Sequence, residues 1–401
     1  MPHHDDDHIG ARIADHRKLR QLTQTGLAQR AFVSRGTIAK VEAGLSPASP
    51  AVVAAVARAL EVDVTVLNGQ PYLSEMRQDR LDRLITPLQD ALDLYDLGPD
   101  PAIAPRPIAD IAADIDALCA STCATEYNGV GTKLPGLLSE LITLNDLLPT
   151  GPDRQRATAS LSWAYWVAFK FAYRLGYHQL ATIALERMGW MAEQAQDPLL
   201  LALRLRYRSA MLLRRGNSLM AAKVLDRAHQ LVDQHDDRGS VPALAMAGTL
   251  HLAGAIAAAQ AKNPDDVRDR LELAGKTAER IGRDVPQIYW ASFGQTNVAH
   301  FDVAASVELG RMGDAMKSAR RLRFPADHPK TRIGRYYIEM SRAHVQMGRA
   351  ESAEKFLHRA REVAPQQARY HPMVRETIAI LVRRQRRAPE GLASLAAWVG
   401  M

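Results

Sequence analysis

The stretch Leu22–Gly44, LTQTGLAQRAFVSRGTIAKVEAG, decides how the N-terminal part of the chain is read. Thr23 precedes a helical pattern that puts Leu27 and Ala28 on one face, and a threonine at that position can cap a helix by accepting a backbone N–H. AFVS then breaks the period. Ser34 caps a second pattern, RGTIAKVEAG, whose Ile38 and Val41 face inward, and Gly44 supplies the C-terminal stop.

The same grammar continues on both sides. Residues 9–20, IGARIADHRKLR, place Ile9, Ile13 and Leu19 in helical register with basic residues opposite. Beyond Gly44, Ser49 caps SPASPAVVAAVARAL with Pro50 at its first helical position, and VDVTVLNG closes the unit as a short fifth helix. Between Ile9 and Leu60 eight Lys or Arg stand against two acids, Asp15 and Glu42, a local excess of six. That is the electrostatic footprint of a phosphate-binding surface.

LTQ, LAQRA, VSRGTIAKVEAG and ARALEVDV together resemble the lambda-repressor/Cro-type helix-turn-helix domain, the XRE family, over residues 9–68. The resemblance implies that the second helix of the motif enters the major groove. Carried over residue by residue, it assigns Ser34, Arg35, Thr37 and Lys40 to base edges. It assigns Gln24 and Thr25 to phosphate or the first base, and Arg12, Arg17 and Arg20 to phosphates. Three positions depart from the family. Gly26 stands where many members carry a Glu that completes a capping box. Phe32 stands where many carry Gly for a left-handed turn, so it must strain or alter the turn, with packing against a neighbouring helix as the expected gain. Gly36 removes one base-reading side chain.

The remainder reads as helix after helix without strand alternation, after a Pro-rich break at GPDPAIAPRP. A pattern recurs: a turn residue, a small residue five later, and another seven beyond. It begins at Gly176 (Ala181, Met188), Gly216 (Ala221, Ala228), Lys262 (Val267, Ala274), Gly310 (Ala315, Leu322) and Gly348 (Ala353, Ala360), at intervals of 40, 46, 48 and 38 residues. This resembles the tetratricopeptide repeat in five degenerate units, longer than its usual ~34 residues, with residues 107–150 as a divergent capping pair. Stacked units of this kind form a concave groove lined by their first helices. The stripe at thirteen, ten, six and three residues before each turn contributes Trp163, Trp166, Lys170 and Tyr173, then Arg206, then Asn297 and His300, then Arg335 and Arg342. Its middle is apolar. Asn and Arg suit an extended peptide, and an apolar molecule with an acid group fits nearly as well.

YWASFGQTNVAHFDVAASVELG (289–310) and RYHPMVRETIAILVRR (369–384) are similar to actinobacterial XRE regulators with helical-repeat C-terminal domains. The expected architecture is all-α: a tail over 1–8, a five-helix module over 9–69, a helical linker over 70–106, and a TPR-like α-solenoid over 107–401 that senses an effector and dimerises. The expected partners are a double-stranded DNA operator, a second copy of the chain and a peptide or small-molecule effector. The alternative is a TPR-type interaction scaffold whose helix-turn-helix docks on protein.

Other classes fit less well. The sequence has no GxxxxGK, HExxH or GxSxG motif, and no GxGxxG after a strand, so neither an enzyme nor a cofactor or metal is expected. GVGTK, at 129–133, lacks the strand and spacing of a phosphate loop. The net charge of +7 over 401 residues is mild. Cys119 and Cys123, the two cysteines, give no disulfide framework and fit a reducing cytoplasm as small buried residues. The Ala-rich run ALAMAGTLHLAGAIAAAQA reads as a packed helix, not a membrane span. RRQRR, at 383–387, reads as a solvated helix end.

Overall fold

The computed structural model describes residues 8–70, 75–285, 287–384 and 389–401. The tail up to Asp7 and the part of the basic run beyond Arg384 lie outside the described residues.

The first five helices are α1 (Ile9–Leu19), α2 (Gln24–Ala31), α3 (Arg35–Glu42), α4 (Pro50–Ala59) and α5 (Val64–Asn68). Their caps follow the sequence. The hydroxyls of Thr23, Ser34 and Ser49 accept the N–H of Gly26, Thr37 and Val52, each such cap contributing about 1 kcal/mol. Gly44 takes φ 65°. Gly10 lets α1 cross α3 closely, since a Cβ there would lie 1.9 Å from the Val41 carbonyl oxygen. Ile9, Ile13, Leu27, Ile38 and Val41 are buried as expected, but Leu19 is 76% exposed. It sits at the fraying end of α1, past the turn that α3 covers.

Helix α6 (Glu75–Asp93) falls in the expected linker, yet its Ile85, Leu88 and Leu92 are buried in the main core of the repeat domain. That segment is therefore not a free connector along its length. The pair α7 (Ile108–Cys123) and α8 (Tyr127–Leu147) caps the array and packs on α9. Five helical hairpins follow: α9 (Pro152–Leu175) with α10 (His178–Gln194), α11 (Pro198–Arg214) with α12 (Ser218–Asp233), α13 (Val241–Gln260) with α14 (Pro264–Ile281), α15 (Gln295–Leu309) with α16 (Met312–Arg321), and α17 (Lys330–Gln346) with α18 (Ala350–Val363). The five turn residues read from the repeat all adopt left-handed φ, between 60° and 96°. The ten residues spaced five and twelve beyond them are all buried, as close pairing of the helices requires. Lys262 is the one turn residue that is not glycine. Its Nζ donates to the Glu308 carbonyl at 2.5 Å, tying the third hairpin to the fourth. Helix α13 is long and apolar enough to cross a membrane by composition, but 67% of its most apolar window is buried inside the protein.

The chain ends in α19 (Pro365–Tyr370), α20 (Pro372–Arg383) and α21 (Glu390–Val399). Here the array turns back on itself. Helix α19 packs on α9, and the Asn128 N–H donates to Gln366 Oε1 at 3.0 Å, so the last helices meet the first and the solenoid closes into a ring. Two elements lie across the ring. One is the segment before α15, where Tyr289, Trp290 and Ser292 hold positive φ; Tyr289 donates to Asp197 at 3.0 Å and packs on Trp163. The other is the five-helix module itself. Ile9, Ile13, Val53 and Leu67 share one apolar cluster with Ile338, Val374, Ile378 and Leu395 of the C-terminal helices. The Ile9 N–H donates to Glu376 at 3.2 Å, Arg58 donates to the Gly216 carbonyl at 2.8 Å, and Arg384 donates to the Leu45 carbonyl.

Cys119 is fully buried and Cys123 partly so, both free thiols. Burial pushes both thiols up from their usual range, which makes them poor nucleophiles.

Candidate functional site

Docking leaves the N-terminal half of α3 open. Thr25, Ser34 and Arg35 are exposed and Thr37 is half-buried, at or beside the starts of α2 and α3, and Lys40 is exposed in the last turn of α3. The Ser34 and Thr37 hydroxyls are 2.8 Å apart and hydrogen-bonded to each other. Their orientation is thus set by the cap before any ligand arrives.

The basic residues of α1 are placed otherwise than the sequence implied. Arg17 donates from Nε and Nη2 to the two oxygens of Glu42, at 2.7 and 2.9 Å, and from Nη1 to the Leu22 carbonyl at 2.8 Å. The side chains of that pair are 13% and 6% exposed. The hydrogen bonds that Arg17 donates to Glu42 raise its pKa above the ordinary value. Gln24 donates to the same carboxylate at 2.9 Å. Arg12 donates to the Leu67 carbonyl at 2.8 Å, capping α5. Arg12, Arg17 and Gln24 therefore hold the module together, whereas the sequence had assigned them to DNA. Long side chains that bridge helix ends give the same basic pattern as phosphate contacts. Phe32 adopts φ 54°, ψ 40° and is 95% exposed. The expected packing gain is absent, and a left-handed non-glycine residue costs about 1–2 kcal/mol.

The stripe read from the repeats divides in two. Tyr173, Arg335 and Arg342 line a cavity of about 230 Å³ inside the ring, with the stripe's Leu213, Ile256 and Val307 as its apolar wall. Trp166, Asn297 and His300 do not line it. Trp166 is fully buried, the Asn297 amide donates to the Ser292 carbonyl, and His300 is ringed by Phe301, Phe324 and Tyr336 at 5.8–6.0 Å. These side chains point into the seams between hairpins. Trp163 stacks edge-on with Trp166 at 5.7 Å and meets Tyr289. Lys170 lies over Trp166 and Tyr207 at 5.6 and 5.3 Å, and Arg206 over Tyr207 at 4.8 Å. They form a cationic shelf outside the lining of that cavity.

Sequence reasoning missed Arg174, Arg214, Glu308, Glu339 and His371, which also line the cavity. The first three follow stripe residues by one position and Glu339 follows Arg335 by four. A stripe drawn one residue wider would have found these four, since a helix face spans more than one row, whereas His371 caps α20 beyond the last repeat. Also unforeseen was that Val53, Val64, Asn68 and Gln70 of the N-terminal module form one wall. Arg335 donates to Glu339 at 2.5 Å and to His371 Nε2 at 2.8 Å. Burial works against the charge of Glu339, but Arg335 and His300 outweigh it and hold the carboxyl at about 2. Burial, with repulsion from Arg335, pushes His371 well below its ordinary value and keeps it neutral.

Comparison with known families matches residues 8–70 to a helix-turn-helix domain. The match spans α1–α5, from one residue before α1 to two beyond α5. No curated protein and no solved structure matches the chain. The N-terminal module is a helix-turn-helix DNA-binding domain in an all-α protein with a solenoid-like arrangement behind it. This points to a regulator rather than an enzyme.

Proposed function

We propose that the chain is a cytoplasmic transcriptional regulator of the XRE type. Its helix-turn-helix domain reads an operator as a homodimer, and its tetratricopeptide-like ring senses a peptide or small-molecule effector. The observation that carries the reading is the open start of α3. In a domain of this family Thr25, Ser34, Arg35, Thr37 and Lys40 stand where base and phosphate contacts are made, and they remain accessible while the module is docked. The cavity shared by ring and module supports the sensing role, because an occupant touching both can act only by preferring one arrangement of the two.

The Arg35→Ala, Lys40→Ala double variant lowers affinity for a selected operator by roughly tenfold or more and leaves the melting temperature within a degree or so. Unchanged affinity contradicts the assignment. The exposed Phe32 favours a second reading, a protein-docking module. Salt separates the two: a steep fall of affinity with ionic strength marks phosphate contacts, and a shallow one marks an apolar protein interface.

A further inference from the structure

The cavity between module and ring carries more positive charge than its own carboxylates answer. Arg174, Arg214, Arg335 and Arg342 reach it, against Glu308 and Glu339. Glu339 is already engaged by Arg335, and His371 accepts from Arg335 as a neutral ring. Arg214 is met by the uncharged Gln70 oxygen at 2.9 Å. Arg342 is 2% exposed, and its Nε and Nη2 donate to no acceptor among the described residues; Nη2 makes only a long ion pair with Glu308, at 3.9 Å. Behind this wall the field is not relieved. Burial, with repulsion from Arg174, Arg332 and Arg206, drives the Lys170 ammonium well below the usual lysine range. Burial and Arg206 bring Arg332 down to about 10. A buried guanidinium without an acceptor is costly, and its planar fork matches a carboxylate. The remaining wall is apolar: Val53, Leu213, Ile256, Val307 and Met373. At about 230 Å³ the space is smaller than the ~300–1,000 Å³ of drug-sized sites.

We infer that this cavity binds a compact organic acid, whose carboxylate sits on Arg342 with Arg335 and Arg214 around it and whose apolar body lies against Val53 of the helix-turn-helix domain and Leu213, Ile256 and Val307 of the ring. The occupant bridges the two modules and so stabilises the docked arrangement. This rests on the reading of the ring as a sensor and gives its effector a chemical class.

The test uses the full chain without DNA. Calorimetric titration and thermal melting are run with straight-chain carboxylates from butanoate to decanoate and with phenylacetate, each beside its primary amide, and with inorganic phosphate. At least one acid binds one-to-one and raises the melting temperature, and its amide binds about tenfold more weakly or worse. Arg342→Gln removes that preference for the acid. Arg214→Gln, on a less buried side chain, weakens the acid several-fold and serves if Arg342→Gln does not fold. Hydrogen exchange slows in α4 and α5 as well as α17 when the acid is bound. The inference is overturned if no acid binds better than its amide, if phosphate alone binds, or if the arginine substitutions leave acid affinity unchanged. Protection confined to the ring overturns the bridging. None of these readouts involves DNA. An operator selected with no acid bound leaves the regulator reading standing, and an acid bound with no operator selected leaves the cavity standing.

Discussion

Removing Glu42 distinguishes an arginine that holds the module from one that holds DNA. Arg17 gives two donors to that carboxylate and Gln24 a third. Glu42→Met strands both, and the Arg17 side chain, 13% exposed, cannot turn freely to water. Breaking a buried pair from one side costs about 3–5 kcal/mol. The module is small and water lies close, so the lower end, about 3 kcal/mol, is expected. Arg17→Met costs a similar amount. The double variant costs about 4 kcal/mol, less than the sum by a coupling energy of about 2 kcal/mol, because the second substitution removes a partner already stranded. The module contains no tryptophan, so the assay is hydrogen exchange of α1–α3 amides, with urea unfolding of the whole chain alongside. Additive costs refute the clamp. So does an Arg17→Met variant of parental stability whose operator affinity falls and whose salt slope drops by about one, the signature of a lost phosphate contact.

Phe32→Asn stabilises the module by about 0.5–1 kcal/mol, since asparagine tolerates the left-handed conformation and the exposed ring gives up no packing; a loss of stability in urea unfolding would show that Phe32 is packed in solution. Glu376, 3% exposed beneath the start of α1, has its carboxyl pushed up to about 7 by burial, against the Ile9 N–H, Arg12 and Arg383. The folded state therefore binds its proton more tightly than the unfolded chain. Stability falls as pH rises from about 4.5 to 7, by roughly 3 kcal/mol from this group, and stays lost above that. Glu376→Gln, which keeps an acceptor for Ile9 and carries no charge, becomes more stable than the parent above pH 7. A parent-minus-variant difference that is flat with pH contradicts this.

Local grammar made much of the fold legible. Caps at Thr23, Ser34 and Ser49, and turn residues at Gly176, Gly216, Lys262, Gly310 and Gly348, act within a few residues of themselves, so their consequences can be read from the string. What could not be read depends on contacts made across long stretches of chain. Nothing near Ile9 announces Glu376, and nothing near Val53 announces Leu213. Ring closure and the shared cavity arise only when the C-terminal helices meet the first hairpin. The site was partly legible for the same reason. Among the described residues Arg35 and Lys40 make no ion pair, and Glu42, two residues from Lys40, is instead claimed by Arg17, 25 residues away. Arg335 and Arg342 follow from helical period, but whether the neighbouring Asn297 and His300 face the groove or the seam depends on the angle at which hairpins stack, which the repeat does not encode.

The most direct test of the account is selection of the purified full chain against a random duplex pool, with bound sequences read out at low and moderate salt. The expected result is enrichment of an inverted repeat whose half-sites are about 34 Å apart, one helical turn, and loss of that enrichment in the Arg35→Ala, Lys40→Ala variant. No enrichment by folded protein at low salt, or a selected site that the double variant binds equally well, would contradict it.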